Sequence, residues 1–176
     1  MSDDPHRPDD PYSRVNYRRL IAWEQRIARE GPFLLSLLDR GPERSVIDIG
    51  CATGEHVAFF AAAGGRAVGL DRSEAMVNAA RDHEAAGTGR FVLGDALEAG
   101  GVLGDEPPFG LAICLGNMLP HLGEHAELSR FFAALHDILR PGGLLLIPML
   151  NYEGFLTTRQ RALPVNVRPG DDGREI

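Results

Sequence analysis

The chain has 176 residues, 44% of them hydrophobic, and a net charge of −7, which is enough for one domain with a packed core. That acidity argues against a nucleic-acid partner, which would need clustered cations. No apolar run reaches membrane-span length, the opening MSDDPHRPDD is not a signal peptide, and the two cysteines are expected to stay reduced in a cytoplasmic protein.

Residues 1–15 are acidic and Pro-rich and are expected to form a disordered tail ahead of a domain over 16–150. From Tyr17 to Leu38, residues Leu20, Trp23 and Ile27, then Phe33 or Leu34, Leu37 and Leu38 keep helical spacing, and Gly31-Pro32 is expected to split the run into two short helices. Ser45–Ile49 reads as a buried strand holding Asp48, and Gly50–Gly54 as a Gly-rich turn feeding a helix over 55–63. Free backbone N–H groups with almost no side-chain bulk make that turn a site for something small and polar. Arg66–Asp71 is a second strand ending in an acid, and Ser73 caps a helix carrying Met76. Phe91–Asp95 is a third strand, with Ala96 and Leu97 after it, and Leu111–Leu115 is a fourth, running into Gly116, Asn117 and Met118. Residues 127–139 form an amphipathic crossover helix, and Gly142-Gly143 opens a fifth strand, Leu144–Leu150, in which Pro148 removes a backbone donor. The alternation predicts an α/β fold: a doubly wound, Rossmann-like sheet of mainly parallel strands, with ligands at the strands' carboxyl ends.

A dinucleotide fingerprint wants small residues at the first, third and sixth positions of the turn. Counted from Gly50, the sixth is Glu55, which disfavours an NAD-type oxidoreductase. The two glycines stand four apart, and Asp48 precedes the first by two. This stretch resembles motif I of the class I S-adenosylmethionine-dependent methyltransferases, with Ala52 at the middle glycine. Its extra methyl is tolerated if the residue keeps negative φ. GLDRSEAMV, GDALE, CLGNMLPHL and LRPGGLLLI follow in the order of the family's further motifs. CLGNMLPHL resembles the glycine N-methyltransferase-like small-molecule group, and Gly116-Asn117-Met118-Leu119 stands where nucleic-acid methyltransferases often carry Asn/Asp-Pro-Pro-Tyr/Phe.

The resemblance implies S-adenosylmethionine as cofactor and in-line methyl transfer to a nitrogen or oxygen of a small-molecule acceptor. A non-catalytic nucleotide-binding or regulatory module on the same fold is the alternative. It implies that Gly50, Cys51, Ala52 and Gly54 lie beneath the methionine and ribose, and that Asp71 accepts the ribose hydroxyls, with Arg72 and Met76 beside it. Asp95, Ala96 and Leu97 would meet the adenine, and Leu115, Gly116 and Asn117 would border the methyl group. Asp48 either contacts the cofactor or holds the turn's amides. Tyr12, Tyr17, Trp23 and Arg29 are candidates for the methionine part. Asn117 and His121 are candidates for handling the acceptor, although His121 also reads as an ordinary helix-start residue. His56 is expected to pack behind the site, and no metal is expected. The resemblance implies the strand order 3-2-1-4-5 within a sheet of seven strands, and only 26 residues follow Leu150. The chain is therefore expected to be truncated, with 151–176 the linker and opening strand of a substrate-binding insertion. Strand five would then be a free edge open to dimerisation.

Overall fold

The computed structural model describes Asp10, residues 16–82 and residues 89–158. Its described residues form one five-stranded sheet in the order β3-β2-β1-β4-β5, every neighbouring pair parallel. The strands are β1 (Ser45–Ile49), β2 (Arg66–Asp71), β3 (Arg90–Leu93), β4 (Phe109–Ile113) and β5 (Leu139–Leu146). β1 and β4 are buried along their whole length, as central parallel strands covered on both faces must be.

The period of two within each strand divides the core. Val46, Ala67, Phe91, Leu111 and Ile113 face one side, where they pack with α2 (Trp23–Arg40), α3 (Glu55–Ala62) and α4 (Glu74–Arg81). Ile47, Ile49, Val68, Leu70 and Ala112 face the other, against α5 (Ala99–Leu103) and α6 (His125–Ile138). Cys51 belongs to the first cluster and Cys114 to the second, so the two free thiols are separated by the sheet.

Several boundaries differ from the sequence expectation. The N-terminal break falls at Ile21-Ala22, after a single turn α1 (Tyr17–Leu20), and α2 runs straight through Pro32. Proline removes one helical hydrogen bond, but Gly31, Leu34, Leu37 and Leu38 are all buried along the same face and hold the helix to the sheet. β5 starts directly after α6, and Gly142-Gly143 lies inside it, in an irregular stretch opposite Phe109–Leu111. Its ladder ends at Ile113↔Leu146 because β4 ends there, so Pro148 lies past the strand and costs no ladder bond. Residues Tyr152–Thr158 form a helix, α7, where a linker and strand were expected.

Glycine matters sterically where β4 passes the turn before β1. A Cβ on Gly110 would sit 2.0 Å from the Pro42 carbonyl oxygen, while one on Gly100 in α5 would meet nothing within 4 Å. Gly110→Ala is therefore expected to lower the unfolding free energy by about 1–3 kcal/mol through overpacking. Gly100→Ala should raise it by roughly 0.5–1 kcal/mol, since only the helix-interior cost of glycine is removed. Urea denaturation of both variants checks the pair.

Candidate functional site

β1 and β2 end side by side, and the chain leaving β1 reverses through left-handed backbone at Gly50 (φ 73°), Ala52 (φ 47°) and Gly54 (φ 83°). The N–H groups of Gly50 and Cys51 both donate to the Leu70 carbonyl, at 2.8 and 3.2 Å. Asp71, at the end of β2, reaches back to the turn. Its Oδ2 accepts from the Ala52 N–H at 2.8 Å and its Oδ1 from the Ser73 N–H at 2.9 Å. Ala52 thus departs from the negative φ expected of it. Asp71 anchors a backbone conformation that costs an L-residue about 1–2 kcal/mol.

The turn faces two ways. A Cβ on Gly54 would meet the Phe91 ring at 2.6 Å and Ala80 at 3.1 Å, so this glycine makes room for the core and not for a ligand. The Cys51 side chain also points inward, into the space left by Gly69, where a Cβ would lie 2.7 Å from its Sγ. Gly50 and Ala52 face outward, onto a cavity of about 310 Å³ at the carboxyl end of the sheet. Asp71, Arg72 and Met76 form its second wall, Asp95, Ala96 and Leu97 its far end, and Tyr17 and Gly116 border it. The cavity therefore gathers most of the expected cofactor residues, while Asp48, Cys51, Gly54, Leu115 and Asn117 are not among its lining. Gly94, Leu70, Met118, Leu122 and Glu127 line it without having been foreseen. Met118 and Leu122 lie in the CLGNMLPHL stretch. Glu127 reads in the sequence as an ordinary first-turn acid of a helix.

Asp48 belongs to a layer beneath the turn. It is 2% exposed, and its Oδ2 lies 3.8 Å from Nδ1 of His56. Nε2 of His56 meets Glu30 Oε1 at 2.5 Å, and Arg26 holds the same oxygen at 2.9 Å. Trp23 packs edge-on against His56 at 5.4 Å, so it supports the turn from behind, and Arg29 is exposed on α2. His56 has the supporting place expected of it. Burial, reinforced by the charge of Asp71, pushes the Asp48 carboxyl well above its usual range. Burial also lowers the His56 pKa against the opposing hydrogen bond to Glu30. Burial raises Asp71 as well, while its two amide bonds pull the other way. Cys51 is raised by burial and Cys114 is pushed up to about 12, so neither thiol is poised as a thiolate nucleophile.

Arg18, which the sequence did not single out, ties α1 to the turn. Its Nε donates to Glu55 Oε1 at 2.7 Å and its Nη2 to the Thr53 carbonyl at 3.2 Å, while the Thr53 hydroxyl donates to Glu55 Oε2 at 2.6 Å. Glu55, the residue that breaks the dinucleotide fingerprint, is thus occupied at the first turn of α3. Beyond β4, Asn117 adopts φ 53° and its Nδ2 donates to the Tyr152 hydroxyl of α7 at 2.8 Å. Its Oδ1 is buried with no hydrogen-bond partner among the described residues. Tyr12 and the side chain of His121 lie outside what is described. Among the described residues no group of three or more His, Cys, Asp or Glu could hold a metal, and no helix is long and apolar enough to cross a membrane.

Comparison with known proteins adds four findings. Residues 46–143 match the family described as methyltransferase domain. The chain is 30% identical over 147 residues to the glycine/sarcosine N-methyltransferase of Parasynechococcus marenigrum (strain WH8102), covering 78% of this chain and 49% of that protein. It thus spans about half the length of that relative. The solved structure of S-adenosylmethionine-bound CalS10, an amino pentose methyltransferase from Micromonospora echinaspora, is 26% identical with a TM-score of 0.58, over 77% of this chain and 56% of that one. The PH0226 protein from Pyrococcus horikoshii OT3 shares the fold at 22% identity and a TM-score of 0.64, over 97% of this chain and 74% of that one.

The buried carboxyl of Asp48 gives a pH signature. Because its folded pKa is raised, its ionisation opposes folding above that pKa, and the folded state binds the extra proton between that pKa and the unfolded value near 3.8. Asp48→Asn is expected to be more stable than the parent chain at pH 8, with the advantage shrinking as pH falls toward 4. Urea denaturation at several pH values reads the difference, and an advantage that grows on acidification would contradict it.

Proposed function

Because the chain belongs to the methyltransferase domain family, we propose that it binds S-adenosylmethionine and transfers its methyl group to a small-molecule amine or hydroxyl. The single observation that carries this is the cavity where β1 and β2 end, walled by a turn bare of side chains and closed by an acid. The residues present fit the cofactor. A Cβ on Gly50 would meet only Met118, at 3.9 Å, leaving backbone exposed to a ligand. Each Asp71 oxygen accepts one amide and keeps lone-pair capacity for a ribose hydroxyl. Carboxylates of Asp71, Asp95 and Glu127 outnumber the Arg72 guanidinium, which suits a cationic cofactor.

When bound, the cofactor supplies a sulfonium methyl that is electrophilic without further activation. The chain's own work is then placement, and orientation alone can remove about 7–11 kcal/mol of a barrier at best. Asn117 Oδ1, buried and unpartnered, would accept the acceptor's N–H and aim its lone pair, with His121 in the same loop as the second acceptor-side residue. With the cofactor bound, a C–N or C–O bond would form as the C–S bond breaks, and the acceptor's proton would pass to solvent. A nitrogen acceptor is favoured by the relatives, whose names specify N-methyl transfer to glycine and sarcosine. In the same proposal, residues 16–150 are the cofactor-binding domain, 151–176 begin the acceptor-binding part, and the setting is cytoplasmic without nucleic acid. A second copy pairing along β5, the outer strand of the described sheet, completes it, readable as concentration-dependent sedimentation.

Two variants test the roles. Asp71→Ala should weaken S-adenosylhomocysteine binding by at least about 1.5–3 kcal/mol in calorimetry, the range for hydrogen bonds to a charged group, because the support of the turn is lost with the ligand contact. Asn117→Ala should leave that affinity unchanged but cut methyl transfer to an amine panel at least about tenfold. Unchanged binding in the first variant removes Asp71 from the site. Cofactor binding by the parent chain without transfer to any acceptor would favour a non-catalytic module.

A further inference from the structure

The cavity's lining brings apolar side chains together with carboxylates. Ala96, Leu97, Met118 and Leu122 pack against the cluster that holds Phe131 and Leu135 of α6, and Asp95 and Glu127 supply the carboxylates. Glu127 lies in the first turn of α6, the helix that packs on the 3-10 turn Ala96–Glu98. Its carboxylate is oriented from below: Oε2 accepts the Gly123 N–H at 2.8 Å. Asp95 is likewise committed in part, since its Oδ1 accepts the Leu97 N–H at 2.8 Å. Apolar side chains suit a flat heteroaromatic ring. A carboxylate accepts hydrogen bonds and does not donate them. Such a lining takes a ring edge bearing an exocyclic amino group and repels one bearing a carbonyl.

We propose that Glu127 reads the 6-amino group of the cofactor's purine through Oε1, and so sets the site's preference for adenine over a 6-oxo base. This rests on S-adenosylmethionine being the cofactor, and it adds a specificity-determining residue on α6, a helix otherwise accounted for by core packing. The Gly123 bond makes the contact preorganised, because the carboxylate is positioned before any ligand arrives.

Calorimetry on the full 176-residue chain, with three probes, separates this from the cofactor assignment itself. The probes are S-adenosylhomocysteine, its analogue with unsubstituted purine, and its 6-oxo analogue S-inosylhomocysteine. In the parent chain S-adenosylhomocysteine should bind at least about tenfold more tightly than either analogue, as expected for a hydrogen bond to a charged group. Glu127→Ala should lose most of that margin by weakening S-adenosylhomocysteine alone, leaving the unsubstituted purine analogue unchanged. Glu127→Gln keeps an acceptor for the Gly123 N–H and presents an amide N–H₂ to the base, so its preference should move toward S-inosylhomocysteine. Equal weakening of all three probes, or an unaltered ranking in both variants, overturns the role of Glu127. Failure of the parent chain to bind any probe overturns the cofactor assignment, and this proposal with it. A thermal melt of each variant identifies loss of fold, in which case Glu127→Gln, the near-isosteric change, decides.

Discussion

The carboxylate of Asp71 is the constraint on which the ligand-facing surface rests. A chain leaving a parallel strand for a helix over the same sheet must reverse within a few residues, and here it does so with three left-handed positions. One of these is Ala52, which has no intrinsic reason to be there. The bond from its N–H to Asp71 joins the end of β1 to the end of β2, and the second bond, from Ser73, joins β2 to the start of α4. One side chain therefore fixes the relative position of the turn, the strand end and a helix N-terminus. Asp71 is an architectural residue before it is a binding one, and removing it disturbs more than a single ligand contact.

The layer below shows what this arrangement costs. Asp48 and His56 are both almost fully withdrawn from water, and each is shifted toward its neutral form by that burial. A hydrophobic pair would pack there more cheaply. The polar layer instead connects α2 to the turn through Glu30 and Arg26, so that the N-terminal helix and the turn share one hydrogen-bonded support.

The strands, the Gly turn and the cap of α4 were legible because each follows from a local rule, while strand order and most of the cavity's walls followed from the family resemblance that the motifs carry. Short apolar runs mark strands, an acid at the end of β2 marks the site, and Ser73 caps α4 as its residue type suggests, with its hydroxyl accepting the Met76 N–H at 3.1 Å. What was not legible depended on partners distant in sequence. Whether Gly54 spares a ligand or the core is decided by Phe91, thirty-seven positions away. Whether Pro32 ends a helix is decided by the depth at which Leu34, Leu37 and Leu38 are buried. The end of β5 follows from the length of β4 and from nothing in its own composition. Arg18 and Glu127 carry ordinary surface signatures and gain meaning only from what the fold sets opposite them.

Arg18 also makes the N-terminal turn a participant in binding energetics. It holds both the Glu55 carboxylate and the Thr53 carbonyl, so α1 is docked on the segment that contacts the cavity, while Tyr17, its neighbour in α1, lines the cavity itself. Free-energy coupling is reciprocal. A ligand that stiffens the turn must strengthen the docking of α1 by the same amount that docked α1 strengthens the ligand. Amide hydrogens of residues 17–20 should then exchange more slowly as the cavity fills, which turns a four-residue helix into a reporter of occupancy.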